Sequence, residues 1–151
     1  MAHFQTNGLS LVQAETIVSG SRAKGRELGL LPRTVVVLDA GGQVKMVQRE
    51  DGSSLLRPEI ALGKAYGALA LGLGGRELGR RAQSMKGFMN ALSDIAGGKA
   101  VPVPGGVLAC DANGVILGAV GISGDLSAQD EVCAVAGIQA VGLKPDTGDA
   151  E

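Results

Sequence analysis

The segment from Pro104 to Val141 constrains the fold most strongly, because two apolar runs, a tight turn and an amphipathic helix follow one another directly. The apolar runs Val107–Cys110 and Val115–Ile122 flank the sequence Asp-Ala-Asn-Gly, in which Asn or Gly can adopt the positive φ of a tight hairpin. Ser127 then precedes an aspartate by three residues, a helix-capping spacing, and apolar residues recur every three or four positions after it. The segment predicts two antiparallel strands followed by a helix with Ser127 as its N-cap.

The first fifty residues contain the same turn pattern a second time. Apolar periodicity predicts a helix that has Ser10 as its N-cap and ends before Gly29. Two strand-like runs, Thr34–Leu38 and Val44–Gln48, flank the sequence Asp-Ala-Gly-Gly and predict a second hairpin. Two hairpins interspersed with helices predict an α+β fold, in which helices cover one antiparallel sheet.

A second helix is predicted from Glu59 to Leu73, with Ser54 or Arg57 as its cap and a proline in its first turn. Gly63 and Gly67 lie one turn apart on this helix. The two glycines form a notch that a further helix can enter.

The remaining segments set the limits of a single domain. A third helix is predicted over residues 76–90, and 91–95 are compatible with its continuation. Ala100–Val101 is a candidate for one extra short strand, before an extended connection that contains two prolines. We expect a disordered N-terminal tail at residues 1–9 and a frayed C-terminal tail at residues 143–151, which leaves one domain between them, residues 10–142.

Charge and composition exclude several classes of function. The formal net charge of the 151 residues is −1, which argues against a nucleic-acid-binding surface. No run approaches the ~18 apolar residues of a membrane span, and the first ten residues lack the pattern of an export signal, so we expect a cytoplasmic protein. Cys110 and Cys133 do not make a disulfide framework, and the only histidine, His3, gives no basis for a metal site.

Hydrophobic residues make up 45% of the chain but aromatic residues only 2%, and the mean hydropathy is +0.22. Such a composition indicates apolar surface that is buried between subunits. We therefore expect a homo-oligomer, either a dimer or a larger assembly.

The glycine clusters match none of the common nucleotide-binding or hydrolase motifs. Gly72–Gly75 fails the dinucleotide fingerprint, and Ser123 has neither the spacing of a nucleophile elbow nor a nearby histidine.

Polar side chains collect instead at two junctions between a strand and a helix. The first junction contains Arg49, Asp51, Arg57, Glu59 and Lys64. The second contains Ser123, Asp125, Ser127, Gln129, Asp130 and Glu131. A structural explanation exists for each: a solvated salt-bridge cluster for the first, and helix capping for the second.

Lys64 differs from the other charged residues because its neighbours in the second predicted helix are mostly Ala, Gly and Leu. Either its stem is buried and its ammonium group reaches solvent, or the ammonium group meets a specific partner. In the second case a ligand with a carboxylate is favoured, since the ion pair replaces lost hydration.

Three segments, 35–54, 59–72 and 104–137, resemble the GlcG/HbpS family, which also occurs as the C-terminal domain of PduO. The resemblance covers residues 10–141. It implies a profilin-like α+β fold with a five-stranded antiparallel sheet, and assembly into dimers or higher oligomers. Members of the family are associated with haem binding or degradation, and others accompany operons for small-molecule catabolism. The positions that match the family pattern are Asp39, Gly41, Gly42, Asp51, Gly52, Lys64, Gly105, Gly106, Gly121, Ser123, Gly124, Gln129, Asp130 and Glu131.

Two departures from the family pattern concern the ligand. A proline of the family's glycine-glycine segment is replaced here, after Gly105 and Gly106, by Leu108. The first helix also lacks the histidine that some haem-binding members use. Haem is therefore a possible cofactor by resemblance only, with Tyr66 as a weak candidate for its axial ligand.

The leading hypothesis is a protein that binds a small molecule, either haem or a catabolic intermediate. The alternatives are an enzyme in which Lys64 and a nearby carboxylate, such as Asp51, move protons on a hydroxy- or oxo-acid, and a structural or regulatory partner without a ligand. The candidate ligand-binding residues are Arg49, Asp51, Arg57, Lys64, Tyr66, Gly105, Gly106, Ser123, Gly124, Asp125, Gln129 and Asp130.

Overall fold

The computed structural model describes residues 1–5 and 7–149. Five helices and five strands lie in this part of the chain. In chain order they are α1 (Leu11–Glu27), β1 (Thr34–Asp39), β2 (Val44–Arg49), α2 (Arg57–Leu71), α3 (Gly75–Ser84), α4 (Lys86–Ile95), β3 (Gly106–Cys110), β4 (Ile116–Ser123), α5 (Ser127–Ala140) and β5 (Lys144–Asp146). No helix within these residues is long and apolar enough to cross a membrane.

The five strands form one antiparallel sheet in the order β2-β1-β4-β3-β5. The pairing of β1 with β4 joins the two predicted hairpins at the centre of the sheet. Val36 of β1 lies opposite Val47 of β2 on one side and opposite Gly121 of β4 on the other. The prediction of an α+β fold with an antiparallel sheet of about five strands is confirmed.

Helices cover both faces of this sheet. Val35 and Val37 of β1 belong to a hydrophobic cluster with α1 and α5, whereas Val36 and Leu38 pack against α2. Successive side chains of a strand point to opposite faces, so a strand that is buried on both faces needs an apolar residue at every position. This explains the continuous apolar run of β1.

α2 packs with its backbone directly against the sheet. Gly121 of β4 and Gly106 of β3 present no side chain to it, and a Cβ atom at these positions would overlap the carbonyl oxygens of Ala61 and Lys64, respectively. The buried residues of α2 are accordingly small around Lys64. This close approach places Lys64 beside the start of β3.

The predicted N-terminal and C-terminal tails are both wrong in part. β5 lies within the predicted frayed C-terminal tail, and Pro145 pairs with Ala109 of β3. At the other end Leu9 is fully buried, and its N–H group donates to the carbonyl oxygen of Leu117 at 2.9 Å. Hydrogen bonds to the sheet hold Leu9 and β5 in place, which residue composition does not reveal, and residues 6, 150 and 151 of the two predicted tails lie outside the described residues.

Ala100–Val101 does not form a strand. Val101 donates from its N–H group to the carbonyl oxygen of Gly63 at 3.1 Å, and Ala100 lies against Gly67. The notch of α2 is thus filled by an extended segment of the same chain and not by a helix.

Of the N-caps predicted for α1, α2 and α5, the structure confirms that of α1. Ser10 is the N-cap of α1, and its side chain and that of Gln13 form a capping box. Ser127 is not a cap, because it is already the first residue of α5 and the N-cap position belongs to Leu126. The N-cap of α2 is Leu56, and no side chain of the described residues caps it, so the prediction of Ser54 or Arg57 in that role is also wrong.

The third predicted helix is two helices, α3 and α4, separated at Met85, whose φ of −131° and ψ of 52° are not helical. Just before this break the hydroxyl group of Ser84 donates to the carbonyl oxygen of Arg80 at 3.2 Å. Bonds of this kind bend or weaken helices.

Candidate functional site

α2 and α5 lie on opposite faces of the sheet, yet a side chain from each meets the other at the end of the sheet. Nζ of Lys64 is 3.1 Å from Oδ2 of Asp130, and the two side chains are 3% and 0% exposed. Gly105 leaves the space for this contact: its φ is +103°, and a Cβ atom there would lie 2.9 Å from Nζ. The pair joins the two helical layers around the strand ends, and it requires glycine at position 105.

The carboxylate of Asp130 also organises the loop before α5. Its oxygens accept hydrogen bonds from the N–H groups of Gly124 at 3.3 Å and Asp125 at 3.0 Å. The loop N–H groups are thus satisfied by a carboxylate inside the helix, which explains why Ser127 has no capping role. Of the two possibilities for Lys64, the structure shows a specific partner, and this partner belongs to the chain itself. Burial lowers the pKa of Lys64, and the charge of Asp130 opposes this effect.

A second polar group lies at the same end of the sheet, on the face covered by α2. Nη1 of Arg57 donates to Oγ of Ser123 at 3.1 Å, and Ser123 is fully buried. Thr34 lies opposite Ser123 in the sheet, and its Oγ1 is 3.3 Å from Oγ of Ser53. Arg49 lies opposite Thr34 on the other side and donates to the carbonyl oxygen of Ser53. We call these five residues the basic-hydroxyl cluster.

The two arginines of this cluster lack a counter-ion at contact distance. Among the described residues, no carboxylate oxygen lies within 4.0 Å of Arg49 or Arg57. By contrast, Arg33 and Arg76 are each paired with a carboxylate. The basic-hydroxyl cluster therefore carries positive charge that the described part of the protein does not neutralise locally.

Asp125 borders this cluster without pairing with it. Its carboxylate accepts hydrogen bonds from the N–H groups of Leu31 at 3.0 Å and Leu126 at 2.7 Å, and these bonds lower its pKa. The charge of Arg57 adds to the effect. Gln129 is half-buried in the first turn of α5 and makes no side-chain hydrogen bond within the described chain.

Asp51 and Tyr66 lie in other surroundings. Asp51 is exposed and lines a cleft of about 370 Å³ together with Arg49. No ion pair joins Asp51 to Lys64 in the described residues; the carboxylate that lies beside Lys64 is that of Asp130. Tyr66 lines a separate cavity of about 160 Å³, and the ammonium group of Lys99 lies 4.7 Å from the centre of its ring.

Sequence reasoning missed a buried network behind the cluster. Arg33 is 2% exposed, and its Nη1 donates to Sγ of Cys133 at 3.1 Å. Oε2 of Glu50 accepts the N–H group of Arg33 at 3.0 Å. Glu131, which the sequence already placed at the second junction, forms a separate pair: its Oε1 is 2.7 Å from Arg76, while its Oε2 is buried without a partner among the described residues, and burial raises its pKa. The position of Arg33 directly before a buried apolar strand was the only available signal.

The residues present do not fit a haem that is held by its iron. Strong axial ligands are His, Cys thiolate, Met and Tyr. Burial raises the pKa of Cys110 and of Cys133, so both thiols stay protonated, and His3 is exposed in the N-terminal segment. Met89 is buried, and Tyr66 lies beneath Lys99. Carboxylate groups, such as the two propionates of haem, do suit the arginines of the basic-hydroxyl cluster.

Comparison with known proteins finds similarity both in sequence and in structure. An uncharacterised 15.0 kDa protein of Citrobacter freundii, from the dhaT–dhaS intergenic region, is 30% identical over 129 residues, which cover 83% of this chain and 87% of that protein. The crystal structure of a PduOC–haem complex is similar with a TM-score of 0.81 and 26% identity, covering 94% of this chain and 99% of that one. The crystal structure of HbpS is similar with a TM-score of 0.78 and 25% identity, covering 93% and 94%.

Residues 9–139 match the family described as haem-degrading protein HbpS-like. The matched stretch begins at the buried Leu9 and ends in the last turn of α5, so it contains the Lys64–Asp130 ion pair and the whole basic-hydroxyl cluster. It also confirms the family resemblance that the sequence motifs indicate. The chain belongs to the HbpS-like family.

Proposed function

We propose that this protein binds haem weakly, as a small-molecule-binding accessory protein. The observation that carries the proposal is the similarity to PduOC in complex with haem, which extends over 94% of this chain. Because the candidate site offers arginines for carboxylates and no strong ligand for iron, we expect micromolar or weaker affinity and no sharp low-spin Soret band.

A haem titration followed by absorbance tests this function. Saturable one-to-one binding with a broad, five-coordinate or high-spin spectrum is the expected result. The variant His3→Ala serves as a control and should give the same curve, since His3 lies in the exposed N-terminal segment. Absence of saturable binding would contradict the proposal. A tight complex with a six-coordinate spectrum would contradict the expected weak mode, and Tyr66→Phe would then show whether Tyr66 is the ligand.

We also propose that the protein functions as a homo-oligomer in the cytoplasm. Large apolar side chains are exposed on α4, where Phe88 is 56% and Ile95 is 83% accessible. Exposed apolar surface of this kind marks protein contact sites. Sedimentation velocity should show a species larger than the 15.2 kDa chain, and Phe88→Ser with Ile95→Ser should dissociate it. A monomer at micromolar concentration would disprove the assembly, and cell fractionation would test the location.

A further inference from the structure

We infer that the basic-hydroxyl cluster and the leucines around it bind an amphiphilic carboxylate, with Arg57 as the carboxylate ligand. The inference deepens the proposed function and rests on it for the idea that the protein binds a small molecule. It adds the chemical group that the protein recognises. The site selects its ligand by a carboxylate attached to an apolar body, and not by a metal.

The first argument is the unused hydrogen-bonding capacity of Arg57. A guanidinium group has five N–H donors, and in the described structure Arg57 uses only Nη1, in the bond to Ser123 at 3.1 Å. Because Ser123 is fully buried, this bond anchors one nitrogen of the guanidinium group at a defined place. Two parallel N–H donors of such a group match the two oxygens of a carboxylate.

The second argument is the balance of charge. Arg57 is partly buried and has no carboxylate within 4.0 Å among the described residues, so it has lost hydration without a counter-ion in contact, although its charge acts on the nearby Asp125. The carboxylates of Asp125 and Asp130 are already bound by backbone N–H groups or by Lys64. Lys64 already neutralises Asp130, so Asp125 offsets one of the two positive charges of Arg49 and Arg57, and one remains. A singly charged carboxylate fits the local charge best.

The third argument is the set of exposed leucines that adjoin Arg57 and Asp125. Leu55 and Leu56 directly precede it and are 84% and 63% exposed. Leu126 directly follows Asp125 and is 74% exposed, and Leu31, which donates from its N–H group to Asp125, is 61% exposed. Exposed leucines thus adjoin both Arg57 and the Asp125 on which its charge acts, and we propose that they contact the aliphatic chain or porphyrin edge whose anionic end Arg57 binds.

Calorimetric titration with octanoate tests this site directly. We expect saturable one-to-one binding of octanoate and at least about tenfold weaker binding of octan-1-ol, which has the same chain without the charge. Arg57→Gln should weaken octanoate binding at least about tenfold, as expected for the loss of a charged hydrogen-bonded partner. Arg26→Gln is the matched control, because it removes an exposed arginine of α1 with no carboxylate partner in the described residues, and it should leave the affinity unchanged.

A second measurement does not depend on how the variant folds. In the wild-type protein, octanoate should shift the backbone amide resonances of Ser123, Gly124 and Asp125, and those of α4 should stay in place. A competition experiment between octanoate and haem identifies which carboxylate the site binds. If octanoate displaces haem, the site binds the haem propionates. If both ligands bind at the same time, the site binds a separate acid. Both results support the site.

The inference is overturned if octanoate does not bind saturably, if octan-1-ol binds equally well, or if Arg57→Gln with an unchanged urea midpoint retains full affinity. Loss of haem binding with intact octanoate binding would count against the proposed function alone. Haem binding without any octanoate binding would count against this inference alone.

Discussion

Lys64 and Asp130 form a buried ion pair between two helices that lie on opposite faces of the sheet. The sheet separates the two hydrophobic clusters, so these helices can meet only where the strands end. Each of the two charges would be strongly disfavoured in this position without the other. The pair is therefore the point at which the stability of one helical layer depends on the other.

Lys64→Met should destabilise the protein by about 3–5 kcal/mol, because it leaves the carboxylate of Asp130 buried without its counter-ion. Urea unfolding measures this change. Lys86→Met removes an exposed lysine at the start of α4 and should change the stability by less than about 0.5 kcal/mol. Adding Asp130→Asn to Lys64→Met should recover part of the loss. A cost of Lys64→Met close to that of Lys86→Met would show that the pair contributes little.

Two serines at helix starts should respond differently to replacement by alanine. Ser10 caps α1 through the N–H group of Gln13, so Ser10→Ala should cost about 1 kcal/mol. Ser127 lies inside α5 and its side chain makes no capping bond, so Ser127→Ala should change stability by less than about 0.5 kcal/mol. Thermal unfolding of both variants checks the difference. Equal losses would mean that Ser127 stabilises α5 after all.

Glu131 should make the protein less stable as the pH rises from 4.5 towards neutral. Burial raises the pKa of this carboxyl group in the folded state above its ordinary value of 4.5, so the folded state holds the proton more tightly than the unfolded state does. Glu131→Gln removes this pH dependence and should be at least as stable as the wild type at neutral pH. Urea unfolding across this pH range measures the free energy of unfolding of the wild type and of Glu131→Gln. Parallel curves of this free energy against pH would contradict the prediction.

Glu50 should affect the pH dependence of stability in the opposite direction to Glu131. Burial alone would raise its pKa, but hydrogen bonds from Arg22 and Arg33 lower it below 4.5. Its contribution to stability is therefore complete above pH 4.5 and is lost as the pH falls through the folded-state pKa. Glu50→Gln should destabilise the protein above pH 4.5, and the difference from wild type should shrink in acid. A constant difference would contradict this assignment.

Two glycine-to-alanine substitutions should have opposite effects. In Gly121→Ala the new methyl group would meet the backbone of α2, so we expect a loss of about 1–3 kcal/mol or more. At Gly79, within α3, the nearest atom to a new methyl group is the carbonyl oxygen of Pro102 at 3.5 Å, an ordinary contact. Gly79→Ala should therefore gain up to about 0.5–1 kcal/mol through helix propensity. The denaturation midpoint should fall in Gly121→Ala and rise in Gly79→Ala, and midpoints that shift in the same direction would contradict this prediction.

Local patterns were sufficient for the two hairpins and for α1. The Asp-Ala-Gly-Gly and Asp-Ala-Asn-Gly turns and the apolar runs beside them depend on neighbouring residues only, and the Ser10 cap needs contacts within four residues. β5 depends on its surroundings instead. Its three residues, Lys144–Asp146, have no strand-like composition, and they are extended because the edge of β3 supplies hydrogen-bonding partners.

The sequence pointed to individual residues of the candidate site, but it did not show which of them contact one another. Lys64 stood out as a lone charge in an apolar helix, yet nothing in the sequence identified Asp130 as its partner in another helix. The spacing of Ser127 and Asp130 fits a capping signal, but the carboxylate turns back to the preceding loop and to Lys64. Such contacts follow from tertiary packing, which a short sequence window does not contain.

The central pairing of β1 with β4 also affects how the chain reaches its native state. Three helices and two strands separate these two partners in sequence, so their contact closes a long loop whose entropic cost must be met before the pairing is complete. The β1–β2 hairpin is local and can form early, but it then presents the valine-rich edge of β1 without its neighbour. During refolding at high concentration, that open edge is where intermolecular strand pairing and aggregation should begin.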